Sequence, residues 1–236
     1  MAELPGTACW VSLTTPDRRA TEAFYGAVLG WSFDDGALAP EARVATLAGE
    51  PVAGLNEAAA ARGLPARWTV FFLVEDADGA AELIAERGGT VAVGPVDFGS
   101  GRTVLGADPC GAAFGLWQGT APPRWGVGAG RAPVRLCLRT CDPQGALAFY
   151  GAVLGRGPDG APSPGGTGPR LRTGARPGDP EPAARPRWEV TFPVADPEGA
   201  AAAARRNGGS PVALPEGGVT VCDPHGALFG LARAEP

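Results

Sequence analysis

The order of apolar and polar positions divides the chain into four modules, each reading as a strand, a helix and then short strands. The first module opens with a strand at residues 8–13. Thr15-Pro16-Asp17 then marks a helix start, because Asp satisfies orphan backbone N–H groups and Pro is tolerated in the first turn. That helix is predicted to run to Leu29, with Ala20, Phe24 and Ala27/Val28 at helical spacing, and to stop at Gly30. Short strands are predicted at residues 31–33, 43–47 and 52–55. The second module begins with a continuous apolar strand at residues 68–74. Its helix starts at Asp76, passes through Ala81, Leu83 and Ile84, and closes at Gly88-Gly89; strands follow near 91–93, 103–107 and 113–117.

A stretch rich in Gly and Pro, residues 118–132, reads as a linker. The third module has a strand at 134–138 and a helix at 143–154. The fourth has a strand at 188–194, an Ala-rich helix to Arg206, a stop at Gly208-Gly209, and strands near 212–213, 219–222 and 228–232. Between them, residues 156–186 hold seven Gly and eight Pro, and only residues 170–173 there look like a strand. Proline removes the donors that a sheet ladder needs, so this part of the pattern is expected to be eroded, with a long flexible loop.

Two phrases recur in the same order. Phe24-Tyr25-Gly26-Ala27-Val28-Leu29-Gly30 returns unchanged from Phe149 to Gly155. The phrase from Asp108 to Leu116 returns with small changes from Asp223 to Leu231. Separated phrases that recur together indicate a duplicated unit, too long for a solenoid repeat. The expected organisation is a first domain at 1–119, a linker at 120–132 and a second, eroded domain at 133–236, in the α+β class. Which modules share a cup stays open.

Bulk properties narrow the function classes. The 236 residues are 44% hydrophobic and 19% charged, with a net charge of −5 and no acidic run. All twenty basic residues are Arg, a bias that suggests a GC-rich coding sequence, as in actinobacteria. The absence of a basic stripe argues against nucleic acid as a partner. No apolar run approaches the ~20 residues of a membrane span, and no signal peptide is visible, so a cytoplasmic location and no membrane partner are expected. Five cysteines without framework spacing argue against a secreted disulfide scaffold. The oligomeric expectation is a monomer or a homodimer.

The paired modules and the two recurring phrases resemble the vicinal oxygen chelate superfamily, the group of glyoxalases, bleomycin-resistance proteins and extradiol dioxygenases. The likeness is to two-domain, actinobacterial, glyoxalase-like members. It implies tandem βαβββ modules that curl into two half-barrel domains, each with a ligand inside. In metal-dependent members, ligands lie on the first strand of a module and seven residues after the Asp of the closing phrase. Here the first-strand positions are Trp10, Thr69, Arg135 and Glu189, and the closing positions are Gly115 and Gly230. The sole histidine, His225, lies in a turn between Pro224 and Gly226. A transition metal needs three or four converging N, O or S ligands, so neither a metal nor another cofactor is expected.

Strand alternation assigns the faces that line the cups. In the first domain these are Trp10, Ser12 and Thr14, then Thr69, Phe71 and Leu73, then Ala113, Gly115 and Trp117. Gly115 in place of a carboxylate leaves room, and Trp offers a stacking face and one N–H donor. These aromatics either receive a flat ligand or fill a core. In the second domain the matching positions are Arg135, Cys137 and Arg139, with Glu189 and Thr191 opposite. Arg135 and Glu189 form either an anion clamp with a general base or a plain salt bridge. Cys137, near Arg135, is the one candidate for a reactive thiol. Asp108 and Asp223 read as turn formers, and Tyr25 and Tyr150 as helix residues packed on a sheet.

Two functions of different class follow. The first is metal-independent binding of a bulky, planar, aromatic small molecule, an antibiotic or polyketide-like metabolite, for sequestration, self-resistance or transport. The second is a cofactor-free enzyme of secondary metabolism that cyclises, isomerises, hydrates or ring-opens such a compound.

Overall fold

The structure is a computed structural model that describes residues 5–36, 42–57, 65–120, 135–155, 170–173, 185–214 and 217–234. The first module is β1 (Ala8–Thr14), α1 (Arg18–Leu29), β2 (Ser32–Asp35), β3 (Ala42–Leu47) and β4 (Glu50–Asn56). The second is β5 (Arg67–Leu73), α2 (Ala77–Glu86), β6 (Thr90–Phe98), β7 (Gly101–Ala107) and β8 (Ala113–Gln118). The third contains β9 (Arg135–Thr140), α3 (Pro143–Val153) and β10 (Arg170–Thr173). The fourth is β11 (Arg187–Val194), α4 (Pro197–Arg206), β12 (Ser210–Ala213), β13 (Val219–Cys222) and β14 (Leu228–Arg233). This is an α+β fold whose described strands belong to two sheets, of eight and six strands. Apart from β10, the Gly/Pro-rich stretch 156–186 lies almost wholly outside the described residues, as do residues 121–132 of the linker.

All four described helices begin the same way. Asp17, Asp76, Asp142 and Asp196 are extended N-cap residues whose carboxylates accept from a backbone N–H in the first turn. At the far end of α1, Gly30 adopts φ 70°, a left-handed conformation that glycine takes without steric cost. The buried stripe of α1 is Thr21, Phe24, Tyr25, Val28 and Leu29. It differs from the expected stripe, because Ala20 and Ala27 face solvent.

The chain packs into two compact units that interleave its segments. Unit 1 comprises Met1–Trp10, Thr69–Pro123 and Arg135–Trp188, and unit 2 comprises Val11–Trp68, Arg124–Val134 and Glu189–Pro236. In unit 1, α2 packs against α3, and the strands run in the orders β5-β8-β7-β6 and β10-β9. Its core holds Val70, Phe72, Ile84, Val104, Phe114, Leu116, Leu136, Leu138 and Phe149. In unit 2, α1 packs against α4, and the orders are β2-β3-β4-β1 and β11-β14-β13-β12. Its core holds Val11, Leu13, Phe24, Trp31, Val52, Leu55, Val190, Phe192, Phe229 and Leu231.

Each unit is centred on the same buried chain of hydrogen bonds. In unit 1, Trp188 Nε1 donates to the Tyr150 hydroxyl at 2.9 Å, and Tyr150 donates to Asp108 Oδ2 at 3.2 Å. In unit 2, Trp68 Nε1 donates to Tyr25 at 3.1 Å, and Tyr25 donates to Asp223 Oδ2 at 3.1 Å. Asp108 Oδ1 also accepts from the N–H groups of Cys110 and Ala112, and Asp223 Oδ1 from those of His225 and Ala227. The two aspartates therefore form their turns, as the sequence suggests, and also receive a tyrosine from a distant helix. Burial raises both carboxyl groups above the ordinary value, with the surrounding donors opposing that effect. Burial, reinforced by the neighbouring aspartate, holds both tyrosine hydroxyls well above their ordinary value, so they stay protonated donors.

Candidate functional site

The strand faces that lie away from the buried core carry the candidate residues. On β5, Trp68, Val70 and Phe72 are buried, whereas Phe71 and Leu73 are half-buried on the other side; Thr69, on the same side as Phe71, is buried. In the unit 1 ladder Phe71 pairs with Gly115, which pairs with Leu105, which pairs with Val93. The next row is Leu73, Trp117, Thr103 and Val96. Paired residues project to the same side of a sheet, so six large apolar side chains share one face of unit 1: Phe71, Leu73, Val93, Val96, Leu105 and Trp117. Val93 and Val96 are 37% and 42% exposed, and they are the exposed large hydrophobic residues among those described. The sequence placed Phe71, Leu73 and Trp117 here. It missed Val93, Val96 and Leu105, although the Thr103/Leu105 alternation was readable.

Glycines let the aromatic rings lie close to the sheet. A Cβ on Gly115 would run into the Phe71 ring. The place expected to be empty at Gly115 is therefore filled by its neighbour on β5. A Cβ on Gly101 would come within 2.5 Å of the Trp117 ring, and one on Gly119 within 3.2 Å of its Nε1. The Trp117 N–H, expected to be a donor for a ligand, donates to the carbonyl of Thr120 at 3.2 Å. Thr103 Oγ1 likewise donates to Leu116 O. The face thus offers stacking surface and little hydrogen bonding. Trp10 also belongs to unit 1, half-buried on the less covered side of β1, where Cys9, Val11 and Leu13 are buried.

The remaining candidates fall elsewhere. Ser12 and Thr14 are half-buried in unit 2, paired with Gly54 and Asn56. Arg135, Cys137 and Arg139 lie on β9 in unit 1, where Cys137 and Arg139 are buried and Arg135 is half-buried. A reactive thiol needs access, which the burial of Cys137 restricts. Glu189 and Thr191 lie on β11 in unit 2, 7% and 8% exposed, and a Cβ on Gly230 would come within 2.6 Å of Thr191 Oγ1. His225 is half-buried in its turn, with its backbone N–H on Asp223.

Comparison with known proteins fits this architecture. Residues 8–116 match the family described as Glyoxalase/Bleomycin resistance protein/Dioxygenase superfamily, and residues 135–232 match one described as Glyoxalase-like domain. The protein CFP32 of Mycobacterium tuberculosis is 33% identical over 252 residues, covering 98% of this chain and 96% of its own. The chain belongs to the glyoxalase superfamily. The anthracycline biosynthesis protein DnrV of Streptomyces peucetius is also similar, 33% identical over 260 residues, with 97% and 94% covered. Among solved structures, homoprotocatechuate 2,3-dioxygenase from Arthrobacter globiformis aligns with a TM-score of 0.59 at 16% identity, over 99% of this chain and 81% of that one. The Mn(II)-bound glyoxalase from Novosphingobium aromaticivorans aligns with a TM-score of 0.54 at 15% identity, over 98% and 82%.

A metal of the kind bound in that glyoxalase does not fit the residues present. The positions that the family resemblance assigns to metal ligands hold Trp10, Thr69, Arg135, Glu189, Gly115 and Gly230. Among the described residues no three His, Cys, Asp or Glu side chains are grouped to hold a metal ion. At Gly115 and Gly230, the Phe71 ring and the Thr191 side chain take up the space of a ligand side chain. No described helix is long and apolar enough to cross a membrane.

Proposed function

We propose that this protein binds a bulky, planar, hydrophobic aromatic small molecule, of the antibiotic or polyketide-like class, without a metal, and sequesters or carries it. The observation that carries this reading is the apolar face of unit 1. Phe71 and Trp117 lie over glycines there, flanked by Leu73, Leu105, Val93 and Val96. A flat ligand on this face gains from removing apolar area from water, about 25 cal/mol per Å². Offset or edge contacts with the two rings add about 0.5–1.5 kcal/mol for each ring pair. The internal bond of the Trp117 N–H means that recognition rests on shape and stacking. The similarity to DnrV, named for anthracycline biosynthesis, supports a ligand of polyketide character.

The same similarity favours a second reading, a cofactor-free enzyme that rearranges such a compound. That chemistry needs a proton-transfer group, and Glu189, buried on β11 in unit 2, is the residue proposed for it; Arg135, expected from the sequence to share its cup, lies on β9 in unit 1. One experiment separates the two readings. The protein is titrated with a panel of planar aromatic compounds while tryptophan fluorescence is followed, and the compound is then recovered for mass spectrometry and chromatography. Quenching with an unchanged compound supports binding. A changed mass or retention time supports the enzyme, and no quenching across the panel overturns both.

A further inference from the structure

Cys110 and Cys141 are joined as a disulfide in unit 1, across a sequence separation of 31. The spacing of the cysteines gave no sign of this pair, because the two lie on opposite sides of the linker. Their Cα atoms are 6.4 Å apart, within the reach of a disulfide. Each cysteine stands on a fixed frame. Cys110 sits in the turn made by Asp108, its own N–H bonded to Asp108 Oδ1. Cys141 immediately precedes Asp142, which caps α3 through Gly145 N. Cys141 is exposed and Cys110 half-buried, so a small thiol can reach the bond.

The duplicated unit shows that the fold does not require this pair. In unit 2 the turn of Asp223 carries His225 at the matching position, and Pro16 precedes the cap Asp17. The pair is therefore an addition to unit 1. It ties the closing turn of the second module to the helix of the third, beside the Tyr150–Asp108 bond that joins the same two modules. The other three cysteines are set apart from it: Cys9 and Cys137 are buried, and Cys222 is half-buried.

We propose that Cys110 and Cys141 form a reversible thiol–disulfide site that fastens unit 1 when oxidised and loosens it when reduced. In reduction, a thiolate of a dithiol reductant attacks one sulfur, the Cys110–Cys141 bond breaks, and the second thiolate of the reductant closes its own disulfide. Two electrons pass to the protein and both cysteines leave as thiols. A small-molecule disulfide reverses the step. The cross-link restricts the unfolded chain over the 31-residue separation, so its loss lowers thermal stability.

The test uses the full chain, treated with oxidised glutathione or with dithiothreitol. Thiols are counted by alkylation in denaturant and intact mass, and the oxidised form is mapped by proteolysis. The expected result is three alkylated thiols after oxidation and five after reduction, a Cys110–Cys141 cross-linked peptide, and a Tm lower by about 5–15 °C after reduction. The Cys110→Ser/Cys141→Ser variant should melt like the reduced protein and ignore the reductant. Five free thiols after oxidation, a cross-link to a different cysteine, or an unchanged Tm overturns the proposal. The thiol count on the natural sequence decides even if the variant does not fold.

Discussion

Replacing Tyr150 by Phe removes one oxygen and leaves the ring in place. That oxygen accepts from Trp188 Nε1 at 2.9 Å and donates to Asp108 Oδ2 at 3.2 Å, and all three residues are buried. The packing of Tyr150 against Phe114, Phe149 and Trp188, at centroid distances of 5.1–5.4 Å, survives the change. What is lost is hydrogen bonding for a buried indole N–H and a buried carboxylate oxygen. A buried polar group left unsatisfied costs about 1–3 kcal/mol, so two such groups cost about 2–6 kcal/mol. Urea unfolding followed by tryptophan fluorescence measures the loss. Tyr25→Phe in unit 2 supplies an internal repeat, since Tyr25 makes the same pair of bonds with Trp68 and Asp223. A loss below about 0.5 kcal/mol, within the range of ordinary surface substitutions, would refute the idea that each chain of bonds stabilises the unit it lies in.

Two further outcomes follow. Burial raises the Asp108 carboxyl above its ordinary value, so between the ordinary range near ~3.9 and that raised value the folded state holds a proton that the unfolded chain has released. Stability from this group is therefore greatest at low pH and is lost as pH rises through that window; Asp108→Asn should gain on the natural protein over the same window in urea unfolding, and a pH-independent difference would contradict this. Gly89→Ala should destabilise by about 1–3 kcal/mol through overpacking, because its Cβ would come within 2.7 Å of Ala107 O and 2.9 Å of Ile84 and Phe149; a thermal melt equal to the natural protein's would show that the helix–strand crossing in unit 1 can open.

Much of this architecture was legible in the chain because it rests on local chemistry. The caps at Asp17 and Asp76, the stop at Gly30 and the strand at residues 170–173 each follow from a few neighbouring residues. Features made by distant residues stayed hidden. Tyr25 turns inward to meet Trp68 and Asp223, 43 and 198 positions away, so the stripe of α1 runs through Thr21 and Tyr25 and leaves Ala20 and Ala27 outside. The Cys110–Cys141 bond depends on α3 meeting the Asp108 turn. At the candidate site, alternation identified the face of Phe71, Leu73 and Trp117. It did not reveal that Phe71 fills the place above Gly115, since that depends on side-chain direction across the ladder. Val93 and Val96 were obscured because β6 shifts register between Val91 and Val93 and again between Val93 and Val96.

Metal-free binding of a planar aromatic ligand on the apolar face of unit 1 can be measured directly. Equilibrium dialysis with a planar anthraquinone, in the presence of a chelator, compares the natural protein with Leu105→Glu. Leu105 is half-buried in the middle of that face, between Gly115 and Val93. Binding should survive the chelator and weaken at least about tenfold in the variant, equivalent to about 1.4 kcal/mol, with the Tm of the variant nearly unchanged. Binding that vanishes with the chelator, or an affinity that Leu105→Glu leaves untouched, would contradict it.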